Sequence, residues 1–325
     1  MDVLRFKSEE EYIAQMEQGA LLNPRIDSTF KALFTQPTVE SREALHSFLE
    51  AATEEKIKEF HLTANDSPSD FLGQRGVTYD IACEFDDGRS ADIEMQAFEQ
   101  KYDYGKRAEY QVARLESTYL RKGDSWEKAP TVYQISVLDF PYDKECKDVV
   151  SRYAMRTKDG RELSGALNII FIDLTKVAGL EAKLETNSLL ENWAIFLKNA
   201  DDPRKMKIIN ELTNKEEGLM QAKKSLSSIS SDKELWLAQY RQEIFEIDRR
   251  SSLMAMRKEG LEAGRAEGRA EGRAEGRAEG RAEGIKAGKL EAKYETAKIL
   301  KQSQVPISII SKSTGLSPEE IENLQ

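Results

Sequence analysis

Three polar residues in two neighbouring segments, Asp80, Glu94 and Gln96, have the types and spacing that could support metal chemistry in this 325-residue chain. Two carboxylates held close together repel each other unless a cation lies between them. Mg²⁺ binds oxygen ligands and keeps several of its waters, so two carboxylates and a substrate phosphate suit it. The natural reaction of such a site is hydrolysis of a phosphodiester bond by a metal-activated water.

An antiparallel hairpin is the element that would bring these residues together. Apolar and polar residues alternate over residues 77–85 and again over residues 91–97, which predicts two strands. The residues between them, Asp86-Asp87-Gly88, predict a three-residue turn with Gly88 in the left-handed conformation.

The length of this turn decides which residues face each other. A two-residue turn would place Ile81 opposite Glu94 and would mix apolar and charged side chains on both faces. The three-residue turn instead sets Asp80 opposite Glu94. It also predicts four further pairs: Ile81 with Ile93, Ala82 with Asp92, Tyr79 with Met95, and Thr78 with Gln96. Asp92 would then share the face of Glu94 but lie further from Asp80, in a supporting position.

Alternating polar residues have a second interpretation, because they also form the solvated face of ordinary amphipathic hairpins. Spacing alone does not separate this interpretation from a metal site. The decision depends on whether the surrounding elements match a larger pattern.

The surrounding segments predict an α/β fold, with a mixed sheet as the core, helices on its flanks and a helical C-terminal extension. Apolar spacing predicts two opening helices, around Phe30–Phe34 and Leu45–Ala52, after a polar lead-in over residues 1–22. A long amphipathic helix is predicted from Tyr104 to Arg121. Buried strands over residues 131–139 and 166–174 complete the sheet.

The C-terminal part has a different organisation. Arg-Ala-Glu-Gly is repeated five times from Arg265 to Gly284 and offers no apolar residue larger than Ala, so it cannot belong to a packed core. It is a marginal helix or a flexible spacer. We therefore expect a main domain over residues 20–250, a spacer over 251–290 and a small helical tail over 291–325. Ser317 and Glu320 predict a capping box in that tail.

Composition excludes several classes of protein. The two cysteines and two histidines form no Cys/His cluster that could close a structural zinc site, and they supply a histidine-based triad poorly. No signal peptide and no membrane span is recognisable, so we expect a cytoplasmic protein without a membrane partner. The net charge of −10 does not suggest DNA as a partner, although a local basic surface or a bound cation would permit it.

The motifs together resemble the recombination-promoting nuclease and transposase family of the PD-(D/E)XK nuclease superfamily. The resemblance lies in DSTFKALF (residues 27–34), YDIACEFDDGRSADIEMQ (79–96) and RAEYQVARLESTYLRKG (107–123), with support from the strand VYQISVLDF and the glycine-rich repeat. It covers residues 23–200 well. It implies a restriction-endonuclease-like fold and a DNA endonuclease that uses Mg²⁺ or Mn²⁺ and acts in recombination or transposition.

The resemblance also implies roles for single residues. Asp80 and Glu94 would bind the metal, and Gln96 would stand where the wider superfamily has a lysine, whose charge an amide cannot supply. Asp27 matches the acid of the opening helix and is either a further metal-site residue or the N-cap of that helix.

Lys31 and Arg107 are candidates for contact with the DNA phosphates. Tyr110 and Gln111 face a similar direction one turn beyond Arg107 on the same helix and are further candidates for binding the substrate. For Lys31 and Arg107 an ordinary surface charge is the alternative. For the whole chain the alternative function is a catalytically degenerate DNA-binding or assembly protein, suggested by Gln96 and the acidic charge. The sequence leaves a homodimer open.

Overall fold

Three helices open the part of the chain described by the computed structural model, which covers residues 8–67, 76–99 and 102–324. They are α1 (Glu9–Glu17), α2 (Asp27–Thr35) and α3 (Val39–Thr53). The two predicted opening helices are thus confirmed as α2 and α3. The prediction of a polar lead-in was wrong over residues 9–17, because α1 is a capped helix that buries Tyr12.

A six-stranded mixed sheet forms the centre of the described structure, as the α/β prediction requires. Its order is β1-β4-β5-β6-β8-β7, with β5, β6 and β8 parallel and the outer strands antiparallel. Strands β2 and β3 form a separate two-stranded sheet. The strands are β1 (Phe60–Leu62), β2 (Asp66–Ser67), β3 (Val77–Thr78), β4 (Ile81–Phe85), β5 (Ser90–Gln96), β6 (Val132–Leu138), β7 (Val150–Ala154) and β8 (Leu167–Asp173).

The hairpin turn has the predicted geometry. The Phe85 N–H donates to Arg89 O at 2.8 Å, and the Gly88 N–H donates to Phe85 O at 3.0 Å. Gly88 has a φ of 87°, which is the left-handed conformation of a three-residue turn with a bulge. In the resulting register Ile81 pairs with Ile93 and Ala82 with Asp92, as the sequence predicts.

The first predicted strand is interrupted before it reaches Asp80. Thr78 belongs to β3 and pairs with Asp66, and the Tyr79 N–H donates to Asn65 O at 2.7 Å. The predicted pairs of Thr78 with Gln96 and of Tyr79 with Met95 were therefore wrong. Asp80 occupies the bend between β3 and β4, outside the ladder, so its predicted cross-strand pairing with Glu94 was wrong as well.

Helices cover both faces of the sheet. Besides α1, α2 and α3, the helices of the main domain are α4 (Tyr104–Ser117), α5 (Leu189–Asn199), α6 (Met206–Lys215) and α7 (Glu217–Ile229). Because side chains alternate along a strand, Ile93 and Met95 of β5 join the main core with α2, α3, α5 and α7. Asp92 and Glu94 point to the opposite face, where Ala108, Val112 and Leu115 of α4 are buried.

The chain divides into two units, residues 1–245 and 246–325. The helices that follow the main sheet are α8 (Lys233–Gln302), α9 (Ile307–Thr314) and α10 (Pro318–Glu322), so the Arg-Ala-Glu-Gly repeat is helical. Its role as a spacer stays a prediction. In the second unit Ala297, Ile310, Leu316 and Ile321 form a small core, and the capping box of Ser317 and Glu320 is confirmed. None of the described helices combines the length and apolar character needed to cross a membrane.

Replacing Gly88 with alanine should destabilise the main domain. A Cβ at Gly88 meets no atom within 4 Å, so the cost comes from the left-handed backbone and is about 1–2 kcal/mol. Urea unfolding of Gly88→Ala measures it. Gly179→Ala is the matched control, because a Cβ there also meets no atom and no positive φ is involved. Equal losses in both variants would contradict the assigned role of the turn.

Candidate active site

Asp80 and Glu94 are positioned in the site by different elements of the fold. Glu94 lies inside β5, and its side chain is 1% exposed. Asp80 precedes β4, and its carboxylate Oδ2 accepts a hydrogen bond from the Met95 N–H at 3.0 Å. The side chain of Asp80 thus takes the place of a backbone partner for β5. This bond holds Asp80 next to Glu94 although the ladder has ended.

Arg107 is the principal partner of Glu94. Its Nη2 lies 2.7 Å from Glu94 Oε2, and its Nη1 donates to the Tyr102 hydroxyl at 2.9 Å. The guanidinium also lies 5.7 Å from the centre of the Tyr104 ring. The amide of Gln96 donates to the same Glu94 oxygen at 3.3 Å. An ordinary surface charge for Arg107 was one of two interpretations, and the ion pair with a buried acid replaces it.

Lys31 and Asp27 approach the site from α2. Lys31 Nζ lies 3.0 Å from Asp80 Oδ1 and 3.1 Å from the Asp27 carboxylate, so it bridges two acids. The N-cap of α2 is Ile26, and Asp27 is the first helical residue with no capping hydrogen bond from its side chain. The N-cap interpretation of Asp27 was therefore wrong. The alternative, a carboxylate that belongs to the charged site, remains.

The pKa shifts at the site reflect the burial of acids that lie close together. Burial raises the pKa of Glu94 to about 8, and the charge of Asp80 adds to this while Arg107 opposes it. Burial and Asp80 also raise the pKa of Asp27, against the effect of Lys31. Burial disfavours the charged form of Lys31, but the charges of Asp80 and Asp27 outweigh it and raise the lysine pKa. A cation beside these carboxylates would reverse the shifts of the acids.

Asp92 lies behind Glu94 in a buried polar network. Its Oδ2 accepts from Gln134 Nε2 at 2.8 Å, Gln134 Oε1 accepts from the Ser136 hydroxyl at 2.7 Å, and the Tyr104 hydroxyl donates to Ser136 at 3.2 Å. Burial and the charge of Glu94 raise the pKa of Asp92 well above its ordinary value. Sequence reasoning missed Gln134 and Ser136, although two polar residues alternating in the otherwise apolar strand β6 are a readable signal.

The buried carboxylate of Glu94 suggests where a cation would bind. Glu94 Oε1 and Asp92 Oδ1 have no hydrogen-bond partner among the described residues, and an unsatisfied buried acceptor is costly. Carboxylate oxygens are the ligands Mg²⁺ and Mn²⁺ prefer, so the residues present fit such an ion. No cluster of three or more His, Cys, Asp or Glu side chains able to hold a metal occurs in the described ranges. The remaining ligands would have to be waters and substrate.

A cleft of about 540 Å³ adjoins Arg107 on the outside of α4. Of the four predicted DNA contacts, Arg107, Tyr110 and Gln111 line this cleft, whereas Lys31 does not. Tyr110 is 38% exposed, but Gln111 is almost completely buried, so the two side chains do not face solvent in the same way.

Comparison with known proteins identifies a family for the main domain. A family model described as "PD-(D/E)XK nuclease family transposase" matches residues 24–255. The matched range includes α2, the hairpin, α4 and the parallel strands, and it ends before the Arg-Ala-Glu-Gly repeat. No curated protein and no solved structure shows significant similarity to the chain.

The raised pKa of Glu94 predicts a pH-dependent stability in metal-free buffer. The folded protein retains the Glu94 proton up to about pH 8, whereas an ordinary glutamate loses it near 4.5. The unfolded chain therefore binds fewer protons between these values, and the free energy of unfolding falls as pH rises through this window. Glu94→Gln cannot ionise, so its stability relative to wild type should increase from pH 5 to pH 8 in urea unfolding. A constant difference would contradict the shift.

Proposed function

The chain belongs to the PD-(D/E)XK nuclease family transposases, and on that premise we propose that it is a metal-dependent DNA endonuclease. The observation that carries the proposal is the position of Glu94, which is buried beside Asp80 with one oxygen lacking a partner. Such a site is costly to the fold, and a function that supplies a cation accounts for it.

Asp80 and Glu94 would hold Mg²⁺ or Mn²⁺. When bound, the ion would lower the pKa of a water ligand and offset charge on the scissile phosphate. Lys31 lies between Asp27 and Asp80, so Asp27 would influence the metal site through Lys31 or through a bridging water. Asp92 would support Glu94 as its neighbour on the same face of β5. Its hydrogen bond from Gln134 links β5 to β6 beside the site.

Lys31 and Arg107 would act on the substrate. Each is ion-paired with one of the two acids, and neither acid would need that partner once a metal ion offset its charge. The guanidinium could then form two parallel hydrogen bonds with a DNA phosphate, and the ammonium could neutralise charge on the reacting group.

Gln96 would have an orienting role. Its amide donates to Glu94 Oε2, so it can hold that carboxylate or a water in place, but it contributes no charge. Lys31 is the described cation nearest to Asp80 and could supply the charge that an amide at position 96 lacks. If it does not, the chain would be a catalytically degenerate DNA-binding or assembly protein.

The biological setting that we propose is DNA recombination or transposition. Cleavage of both strands would need either two successive cuts by one site or two copies of the chain. We include the second route in the proposal, as a homodimer with one active site for each strand.

Loss of either metal ligand should abolish cleavage. With supercoiled plasmid and Mg²⁺, Asp80→Asn and Glu94→Gln should cut at least about a hundred times more slowly than wild type, since even residues outside the first coordination sphere can cost that much. Glu84→Gln, on the same hairpin but outside the site, should cut normally. Unchanged cleavage by Asp80→Asn and Glu94→Gln would refute the site, and DNA binding without strand breaks in wild type would favour the degenerate alternative.

Metal binding should stabilise the folded protein. In a thermal unfolding experiment, Mn²⁺ or Mg²⁺ at about 100 times its dissociation constant adds about 2.7 kcal/mol, because only the folded chain offers the site. Wild type and Glu84→Gln should therefore unfold at a higher temperature with metal. Glu94→Gln should show little increase. A similar increase in all three proteins would place the metal elsewhere.

A further inference from the structure

The cleft beside Arg107 is connected to the candidate site by that residue. The Arg107 guanidinium binds Glu94 with one nitrogen and the Tyr102 hydroxyl with the other. Glu94 belongs to the candidate metal site and Tyr102 to the cleft wall. A polymer whose phosphate lay at the metal site would therefore have its neighbouring unit next to Tyr102.

Two aromatic side chains line this cleft and remain accessible. Tyr102 is 47% exposed and Tyr110 is 38% exposed. Tyr102 precedes α4, and Tyr110 lies on its outer side, one turn beyond Lys106. Exposed aromatic rings beside a basic groove are the platforms on which proteins stack the bases of single-stranded nucleic acids.

The charges of the cleft favour a base over a second phosphate. Lys106 and Arg107 are basic, but Asp103 lies between them and Tyr102 in the same wall. Asp103 would repel a phosphate, whereas a carboxylate can accept a hydrogen bond from an amino group of a base. Lys106 remains suited to the backbone phosphate that accompanies the base.

Gln111 adds a polar group that still lacks a partner. It lines the cleft and is 2% exposed, and its Oε1 has no hydrogen-bond partner among the described residues. An amide offers both a donor and an acceptor, so Gln111 could contact a base edge once its buried side chain turned toward the cleft. The volume of the cleft, about 540 Å³, is in the range of small-molecule pockets and suits one nucleoside unit.

We propose that this cleft binds an unpaired base next to the scissile phosphate, so that the substrate is single-stranded DNA or duplex DNA with an unpaired segment. Bases inside a duplex are stacked on each other and cannot stack on a tyrosine ring unless they are unpaired. The inference rests on the proposed nuclease function for the identity of the polymer. It assigns Tyr102 and Tyr110 to the binding of the base.

Binding and cleavage of one sequence in two forms test the inference. The full-length protein is titrated, in EDTA and at low salt, into a short fluorescein-labelled strand and into the same strand paired with its complement. Tyr102→Ala and Tyr110→Ala remove the rings, and Tyr110→Phe keeps the ring without its hydroxyl. Trp126→Ala is the matched control, because Trp126 is 86% exposed and does not line the cleft. Quenching of 2-aminopurine in the strand reports stacking directly.

We expect the single strand to bind at least about tenfold more tightly than the duplex, and each alanine variant to lose about tenfold of this affinity together with the quenching. Trp126→Ala should behave as wild type, and Tyr110→Phe should keep the quenching that Tyr110→Ala loses, because its ring remains. Equal affinity for both forms with unchanged alanine variants would overturn the inference, as would failure to bind either form.

Cleavage of the same two DNA forms in Mg²⁺ separates this inference from the proposed function. If Tyr102→Ala and Tyr110→Ala cut both DNA forms at the wild-type rate, the base-binding role of the cleft is overturned and the proposed nuclease function stands. Tyrosine-dependent binding of the single strand without any cutting would support the cleft and contradict the nuclease.

Discussion

The burial of the Glu94 carboxylate is the constraint on which the rest of the site depends. An acid with a 1% exposed side chain beside a second acid is unfavourable in a folded protein unless positive charge accompanies it. Arg107 of α4 pairs with Glu94 directly, and Lys31 of α2 pairs with the neighbouring Asp80. Helices α2 and α4 are thereby tied to the same end of strand β5, one from each side of the site.

Much of this arrangement could be predicted from local sequence. The alternation of residues and the turn with Gly88 are enough to define the register, because a shift by one residue would expose Ile93 and bury charge on the core face. The same argument places Asp92 on the face of Glu94. Long periodic segments such as α3 and α4 are also readable, since their apolar residues repeat with the helical period.

The remaining features depend on contacts between residues far apart in the chain. The predicted first strand is interrupted before Asp80 because Thr78 pairs with Asp66. The sequence of residues 77–85 does not predict that partner. The choice of Arg107 for Glu94, and of Lys31 for Asp80, follows from how helices dock on the sheet rather than from spacing. Strand β7, an antiparallel edge strand, was missed because its pattern is only partly buried.

The central claim is that Asp80 and Glu94 bind one divalent metal ion. Anomalous diffraction from crystals soaked in Mn²⁺ tests it most directly, since the scattering locates the ion without reference to activity. The account predicts an anomalous peak between the two carboxylates, with Arg107 or Lys31 displaced from its present partner. An ion bound only elsewhere, with both ion pairs intact and Glu94 Oε1 still without a partner, would contradict it.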